Sequence, residues 1–518
     1  MKVRSDIIRM YKEVHGWVGI ISGLALFIAF FAGALTMFEQ PIARWASAPV
    51  KLAPPPSLAE TPKLVEAVLK AHPEAAKNYT IHLTTGPDVP GRVSWSPGPP
   101  RGEHGPQETF YAGFAADGTL QVTSDGPSPV ADFIDILHQQ VGLPFSHDVS
   151  MPIMGAIALL YVIALVSGVI ILLPKIVREL FTVRVGSNVK RMWLDVHNVL
   201  GVLSLPFHLI MALTSVVFAF HDQFYDAQSL AFSKAEAPPA RSAAPPSPET
   251  RSLLTPVQAV KRIKAQAPGF TPIMLTYGKG RGGAATLLVR GTDPRYAMRG
   301  PAFSLAFLDP YDGRITGKDY MPGMQDGWGA TITSFFALHF GSFGGVTIRW
   351  AYFLLGMAGA FLFYTGNLLW IESRRRKERK AGAVVQTRAT RILASLTLGI
   401  PLGCVSGIAI SMAGARLGLV ATYAGISALY YLVFIGITAW ALMRGAAKSG
   451  GELLLVTAAA IATVSLSDLC AGGEPAYLLN LTALSLAAGI LILRSHAVRR
   501  SARGPRDSVW SARQPLSN

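Results

Sequence analysis

Eight long apolar segments restrict this chain to one broad class of protein. Each is at least about 17 residues long, which is the lower limit for an apolar helix that crosses a bilayer. The chain is 50% hydrophobic and 15% charged, whereas a soluble domain carries about 25% charged residues. We therefore predict a mainly α polytopic membrane protein. Its apolar segments cover residues 17–38, 152–173, 193–221, 348–371, 392–412, 420–442, 453–469 and 476–493.

The positive charge of the chain follows the ends of these segments. The net charge is +16, and a run of Arg and Lys from Arg374 to Lys380 follows the fourth segment. Cytoplasmic loops of membrane proteins carry such an excess of Arg and Lys. The pattern predicts that both termini are cytoplasmic, with membrane lipids as contacts of the basic residues. Because the Arg and Lys residues cluster at the ends of the apolar segments, we interpret the positive charge as a sign of topology and expect no nucleic acid as a partner.

An internal repeat organises the first four apolar segments. The sequence YKEVHGWVGIISG near the start matches WLDVHNVLGVLSL in the third segment, and LHQQVG matches LHFGSFGG before the next segments. Each copy contains a span, a polar region with helix and strand patterns, a histidine and a second span. Asp-Gly pairs within the polar regions predict hairpin turns. The matching positions are His15 with His197, Pro73 with Pro268, Asp117-Gly118 with Asp312-Gly313, His138 with His339, and Ser167-Gly168 with Thr365-Gly366.

The repeat predicts two pairs of histidines. Both copies start on the cytoplasmic side, so a pseudo-two-fold axis along the membrane normal relates them. Symmetry then brings His15 and His197 together near the cytoplasmic face, and His138 and His339 together near the outer face. Ligand-capable side chains inside a membrane are functional candidates. The alternative is that each histidine forms a hydrogen bond to a neighbouring helix and has a structural role.

His208 has no histidine counterpart, because the matching residue in the first copy is Leu26. It follows His197 by eleven residues. On one straight helix the two rings lie on nearly the same face, roughly 16 Å apart along the axis. Three interpretations remain open for His208, namely a ligand that replaces one outer histidine, a relay for electrons or protons, and a satisfied polar residue.

The histidines leave haem, zinc, copper and no metal as alternatives. The cysteines, Cys404 and Cys470, form no haem-attachment motif and no metal-binding pair. Zinc prefers four ligands, often including cysteine or carboxylate, whereas haem needs two axial ligands and an apolar slot. Small residues in the spans allow close approach of a macrocycle or of another helix. These glycines are Gly16, Gly19, Gly23, Gly33 and Gly201.

The order of segments predicts the domain boundaries. A linker rich in Pro, Ala and Ser covers residues 237–250 and has no reason to fold alone. The predicted divisions are a first span (1–40), a first polar domain (41–150), the second and third spans (151–222), a second polar domain (223–345), the fourth span with its basic segment (346–380), and a C-terminal region with four spans (381–518).

The motifs VHGWVG, DVHNVLG, LHQQVG, LHFGSFGG and TGNLLW, which fall between Tyr11 and Lys380, resemble those of the PepSY-associated transmembrane family. That family includes iron-regulated membrane proteins and ferric-siderophore reductases of the bacterial inner membrane. The resemblance implies a four-helix haem-binding core with two b haems and two small α/β PepSY-like periplasmic domains. It implies that His15, His138, His197 and His339 bind haem iron, with His208 in a variant LPFHL motif. The C-terminal spans go beyond this core.

The resemblance further implies a ferric-siderophore, or ferric-chelate, reductase that transfers electrons across the inner membrane to periplasmic ferric siderophores. The sequence shows no dinucleotide-binding fingerprint, so we expect a quinol or another protein as electron donor. Two alternatives are a transporter component for siderophore or metal, which predicts no stable haem, and a membrane-anchored PepSY regulator without catalysis. The regulator predicts that replacement of His15 or His197 leaves function unchanged.

Overall fold

The computed structural model of the chain describes residues 4–49, 51–86, 88–97, 108–124, 126–175, 184, 189–221, 223, 252–280, 283–382 and 385–513. The linker predicted at residues 237–250 lies outside them. Two compact units form. The first unit contains Met1–Ala46, Ser128–Leu213 and Tyr352–Asn518, and the second contains Ser47–Pro127 and Thr214–Ala351.

Long apolar helices dominate the described part of the chain, as the sequence predicted. Seven are long and apolar enough to cross a membrane, and a bent pair raises the number to eight. The helices are α1 (Ser5–Thr36), α2 (Glu39–Ala46), α3 (Thr61–Ala71), α4 (Val130–Gln139), α5 (His147–Leu172), α6 (Val189–Leu203), α7 (Leu205–Ala219), α8 (Pro256–Gln266), α9 (Gly327–Phe340), α10 (Gly345–Lys380), α11 (Arg388–Arg416), α12 (Tyr423–Arg444), α13 (Ala446–Ala471) and α14 (Tyr477–Arg503).

The third apolar segment is bent rather than straight. α6 ends at Leu203 and α7 begins at Leu205, and the two helices differ in direction by 69°. Pro206 lies in the first turn of α7, and because proline has no N–H it cannot continue the hydrogen-bond ladder of the preceding helix. Our expectation of one straight helix that carries His197 and His208 on the same face is therefore wrong.

The C-terminal helices complete the core around α4 in the first unit. Phe133 and Ile134 of α4 are each 1% exposed. The ring of Phe133 contacts Tyr423 and Tyr430 of α12, with ring centres 5.7 and 5.2 Å apart. Residues of α1, α2 and α11 belong to the same apolar cluster. The last four apolar segments therefore help to position α4, which carries His138.

A row of glycines lets α11 and α12 approach each other closely. Gly399, Gly403 and Gly407 are four residues apart, so they lie along one helix face. A Cβ at Gly399 would lie 2.9 Å from the Cα of Thr438, and one at Gly407 would lie 2.7 Å from the ring of Tyr430. Small residues at this spacing are typical of helix pairs in membranes.

Asp468 connects four helices of the first unit. Its carboxylate accepts hydrogen bonds from the indole of Trp45, the backbone N–H of Ala476 and the amide of Asn480, at 2.8, 2.8 and 2.7 Å. Arg416 forms an ion pair with it at 3.2 Å, and the Asp468 side chain is only 1% exposed. A buried charge with this many partners stabilises the packing of the helices that contribute them.

Asp468→Ala should therefore lower the free energy of unfolding by about 3–5 kcal/mol, because it leaves the largely buried Arg416 without its partner. Glu452 provides a matched control, since it also contacts a tryptophan and an arginine, Trp440 and Arg444. That ion pair is exposed, with 45% and 39% of the two side chains accessible. Glu452→Ala should have a much smaller effect, because solvent screens this exposed ion pair. Thermal unfolding of the purified variants measures the difference, and equal effects would contradict this account.

The second unit contains one eight-stranded antiparallel sheet. Its strand order is β4-β3-β2-β1-β5-β6-β7-β8. The sequence predicts two separate polar domains, whereas the structure joins the strands of both polar regions side by side in this sheet. The strands are β1 (Asn78–His82), β2 (Val93–Trp95), β3 (Phe110–Phe114), β4 (Leu120–Thr123), β5 (Thr271–Lys279), β6 (Ala285–Thr292), β7 (Ser304–Leu308) and β8 (Ile315–Gly317).

The pairing of β1 with β5 joins the two halves of the sheet. Thr80 and Thr276 are direct partners, and their hydroxyl oxygens lie 2.9 Å apart. The rings of Tyr79 and Tyr277 stack at 5.4 Å beside them. Cross-strand pairs of this kind stabilise a sheet. Because β1 and β5 come from the two copies of the repeat, the centre of the sheet lies where the copies meet.

The predicted Asp-Gly turns occur at equivalent places in both halves. Gly118 lies between β3 and β4 and Gly313 between β7 and β8, with φ of 81° and 77°. Glycine adopts this left-handed region without steric cost. The preceding Asp117 and Asp312 each accept a hydrogen bond from the backbone N–H two residues later, at 2.9 and 2.8 Å. The two halves therefore share turn chemistry as well as strand order.

His82 makes the stability of the second unit depend on pH. Burial lowers the pKa of His82 from 6.5 to about 4, and the charges of Arg92 and Arg290 lower it further. An unfolded chain takes up this proton near pH 6.5, before the folded chain does. Stability should therefore fall as the pH drops from about 6.5 to about 4, by at most about 3 kcal/mol.

Calorimetric unfolding of the full chain at several values of pH in this range tests the prediction. His82→Gln keeps a polar side chain beside Ser94, whose hydroxyl lies 2.7 Å from the ring nitrogen of His82. The variant should unfold with a weaker dependence on pH because it removes the titrating group. An unchanged dependence would assign the effect to other groups.

Candidate functional site

His15 is held on α1 by a neighbouring helix of the first unit. Its Nδ1 lies 2.9 Å from the carbonyl oxygen of Ala164 and 3.4 Å from the hydroxyl of Ser167, both on α5. A carbonyl oxygen can only accept, so Nδ1 donates its proton to Ala164. Gly168 lies against the same ring, since a Cβ there would be 3.1 Å from Cε1 and 3.4 Å from Nδ1. The Ser-Gly pair singled out in the sequence thus lines this histidine.

His197 has the same arrangement in the second copy of the repeat. Its Nδ1 lies 3.1 Å from the hydroxyl oxygen of Thr365, and the ring also interacts with the backbone of Leu362. Thr365 donates its own proton to the carbonyl of Leu362 at 2.8 Å. Its oxygen is therefore the acceptor for an Nδ1 proton of His197. Leu362 and Thr365 are equivalent by the repeat to Ala164 and Ser167.

His15 and His197 face each other, with ring centres 6.3 Å apart and ring planes at 79°. With Nδ1 protonated on both rings, each Nε2 keeps a lone pair. Metal–imidazole bonds are about 2 Å long, so two imidazoles on opposite sides of one metal ion have nitrogens about 4 Å apart and ring centres about 6 Å apart. The spacing fits two axial ligands, and it also falls in the range of an edge-to-face ring contact.

His15 and His197 each offer one ligand atom, Nε2, at this site. Among the described residues, no three or more His, Cys, Asp or Glu side chains lie together so that they could hold a metal ion. A structural zinc site needs four such ligands, whereas haem iron needs two axial ligands from the protein. Metal-binding histidines donate their other ring N–H to a carbonyl or a hydroxyl, as both histidines do here. The residues at this site therefore fit haem.

His208 is buried in an aromatic surrounding on α7. It is 1% exposed, and its Nδ1 forms a short hydrogen bond with the hydroxyl of Tyr161 on α5. Phe30 and Phe207 contact the ring, with centres 5.4 and 5.7 Å away. The Nε2 atom is buried and has no hydrogen-bond partner among the described residues. A buried polar atom without a partner costs about 1–3 kcal/mol, so Nε2 is a candidate ligand atom.

His138 lies beside the other end of α1. Its Nδ1 donates to the carbonyl oxygen of Ala29 at 2.8 Å. A Cβ at Gly33 would lie 2.6 Å from this ring nitrogen, so only glycine fits there. Ala29 follows His15 by fourteen residues, which is about 21 Å along a helix. His138 and the Phe30 contact of His208 therefore lie at one level of α1, and the His15–His197 pair lies at another.

His339 belongs to the second unit, where it lies near the end of α9. Its Nδ1 is 2.8 Å from the hydroxyl of Thr214, and the ring of Phe218 packs edge to face against it at 4.7 Å. Its predicted pairing with His138 stays a prediction.

Three carboxyl groups lie near α4, outside the candidate spans. Burial raises the pKa of Glu39 to about 7, and the charges of Asp135 and Asp132 raise it further. Burial also raises the pKa of Asp132 to about 6, with Asp135 as the second cause. Glu39 therefore exchanges protons near neutral pH.

The five glycines that the sequence indicated for close approach differ in their surroundings. A Cβ at Gly33 would meet His138, and one at Gly23 would lie 3.2 Å from the side chain of Asn367. Gly16 and Gly201 have room for a Cβ, with the nearest atom 3.8 Å away, and Gly19 has no atom within 4 Å. Only Gly33 therefore touches a predicted ligand.

Sequence reasoning missed Tyr161, Leu362 and Ala164, which hold the histidine rings. The signal for Ala164 and Leu362 was the repeat itself, since each precedes the matched Ser-Gly or Thr-Gly pair by three residues. Tyr161 has a glycine, Gly359, as its counterpart, so the repeat alone does not mark it.

The comparison with known protein families agrees with the motifs in the sequence. The profile described as the PepSY-associated TM region matches residues 12–373, well over half of the chain. No curated protein matches the chain. The matched region includes both polar regions and the histidines of the candidate site, which are His15, His138, His197, His208 and His339. The chain therefore belongs to the family of the PepSY-associated TM region.

Proposed function

We propose that this protein is a dihaem b-type oxidoreductase of the bacterial inner membrane that passes electrons across the membrane to iron in periplasmic ferric siderophores. One observation carries the proposal, namely the His15–His197 pair with both Nδ1 protons directed to oxygen atoms at equivalent positions of the repeat. This arrangement leaves the Nε2 lone pair of each imidazole available for a metal. The two ring centres are 6.3 Å apart, which leaves room for one metal ion between them.

His15 and His197 hold the first haem in this proposal, and His138 and His208 are the candidates of the first unit for the second. Haem, when bound, supplies one-electron chemistry at iron, with a potential set by its ligands and surroundings. The histidines stay neutral, because Nδ1 donates to an oxygen and Nε2 binds the metal. Each ligand set can therefore hold iron in two oxidation states without a change in its own protonation.

Two histidine levels about 21 Å apart along α1 support transfer across the membrane rather than chemistry at one face. A quinol or another protein supplies the electrons at the cytoplasmic side, where both termini lie in this proposal. The ferric chelate is reduced at the periplasmic side. Glu39, whose pKa is about 7, is close enough to the α4 region to exchange protons there.

The first test is a reduced-minus-oxidised visible spectrum of the purified protein with a pyridine haemochrome count. We expect two b haems per chain. A well-folded protein without haem would contradict the proposal and would favour a transporter component for siderophore or metal.

The second test measures reoxidation. The reduced protein is mixed with a ferric siderophore and, as a control, with its Ga(III) complex, which has the same shape and charge but does not accept an electron. Rapid reoxidation by the ferric complex alone supports a reductase. If neither complex reoxidises the haem, the protein is an electron carrier with another acceptor.

A further inference from the structure

The pair His208 and Tyr161 breaks the symmetry of the repeat at two positions. The counterpart of His208 is Leu26, and the counterpart of Tyr161 is Gly359. In the first unit, His208, Tyr161 and Gly359 meet beside Phe30 of α1. A Cβ at Gly359 would lie 2.5 Å from the ring of Phe30 and 3.0 Å from Cε1 of His208. The glycine therefore leaves room for the rings of both Phe30 and His208.

The hydrogen bonds of Tyr161 define the protonation of His208. The hydroxyl oxygen of Tyr161 contacts both Nδ1 and the backbone carbonyl oxygen of His208, the latter at 3.2 Å. A tyrosine has one proton to donate, and the carbonyl can only accept. Both contacts are satisfied together if the hydroxyl donates to the carbonyl and accepts from Nδ1–H. If the hydroxyl instead donated its proton to Nδ1, no proton would lie between the hydroxyl oxygen and the carbonyl oxygen.

The same tautomer occurs at three other histidines of the first unit. His15 and His138 donate Nδ1–H to carbonyl oxygens, and His197 donates to a hydroxyl. In each case Nε2 keeps the lone pair. At His208 this atom is buried and has no partner among the described residues, within rings of Phe30, Phe207 and Phe363. Nε2 of His208 therefore carries a lone pair in an apolar surrounding.

We propose that Tyr161 is a positioning residue that holds His208 in the Nδ1-protonated tautomer and so presents Nε2 as a ligand atom. Gly359 completes the pocket by leaving room for the ring. The identification of the bound group as haem rests on the proposed function, whereas the tautomer does not. The chain has thus added a histidine site to one copy of the repeat that the other copy lacks.

The experiment uses the full chain with ring-¹⁵N histidine, reduced so that any six-coordinate haem is diamagnetic. His208→Leu assigns the ¹⁵N signals of His208. We expect the wild-type ring to carry its proton on Nδ1. In Tyr161→Phe the Nδ1 signal should shift because its acceptor is lost, and haem should be lost to added imidazole about 10–100-fold more readily.

Tyr364→Phe is the matched control, since it removes the hydroxyl of a half-buried tyrosine of α10, whose ring packs on Phe361. It should leave the His208 signals and haem retention unchanged. Gly359→Ala should displace the ring of His208 and also reduce haem retention, although the Tyr161 hydroxyl is still present. A wild-type ring protonated on Nε2, or Tyr161→Phe signals identical to the wild type, would overturn the proposal.

The outcomes for haem and for the tautomer are separate. If the wild type contains no haem, the proposed function fails, and the tautomer is still read from the same spectra. In that case Tyr161→Phe should move the proton to Nε2, and a proton that remains on Nδ1 would overturn the role of Tyr161. If haem is present but His208→Leu keeps both haems, Nε2 is not a ligand, and the inference fails while the proposed function stands.

Discussion

Replacing His197 by leucine should remove one of two haems per chain and stop electron transfer to an external ferric chelate. His197 faces His15 at a ring-centre distance of 6.3 Å, and haem held through axial ligands alone needs both. Leucine fills a similar volume in an apolar surrounding, so the helices should still pack. The expected result is therefore a loss of cofactor without a comparable loss of folded protein.

The haem count by pyridine haemochrome and the rate of reoxidation by a ferric siderophore measure this effect. His496→Leu is the control, because it makes the same substitution at an exposed position of α14. It should retain both haems and the wild-type rate. If His197→Leu retains both haems, the pair is a structural contact between two rings. If the haem content falls but the rate of reoxidation does not, the haem held by His15 and His197 is not in the electron path.

The sequence predicted the His15–His197 pair because the repeat provided two matched motifs and hydropathy provided their depth. It could not show which atoms hold the rings. Some of those atoms are backbone carbonyls, such as that of Ala164, and a carbonyl has no signature in the residue type. Thr365 was visible only as part of a Thr-Gly pair. Its role depends on the proton that it donates to Leu362.

The bend at Ser204 shows a different limit. The sequence Ser204-Leu205-Pro206 contains the signal for a break, yet a continuous apolar run favours one straight span. Local backbone chemistry dominated over hydrophobicity there, since the two helices differ by 69°. The consequence is that His208 follows its own helix, and its position depends on Tyr161 and Gly359 rather than on the spacing from His197.

The strands within each polar region were predicted, whereas their union in one sheet was not. The pairing of β1 with β5 joins residues about two hundred positions apart, and no local pattern specifies such a partner. The C-terminal region gave a similar result. Its apolar segments were predicted, but the role of Asp468 depends on partners from three other helices and on burial that hydropathy does not show.

Gly33→Ala should have a large effect on the second histidine level for a steric reason. A Cβ at this position would lie 2.6 Å from Nδ1 and 2.8 Å from Cε1 of His138, which is closer than carbon and nitrogen atoms approach without a bond. His138 must then move away from α1 and lose its hydrogen bond to Ala29. Overpacking at such a contact costs about 1–3 kcal/mol.

If His138 holds the second haem, this displacement should reduce haem content from two to about one per chain and slow reoxidation by the ferric siderophore. Gly19→Ala is the matched control on the same helix, because no atom lies within 4 Å of a Cβ there. It should retain both haems, and replacement of glycine by alanine within a helix favours folding by roughly 0.5–1 kcal/mol. Equal haem content in the two variants would show that α1 adapts to the extra methyl group, or that His138 is not a ligand. His138→Leu separates these outcomes, since it removes the ring without a change in α1.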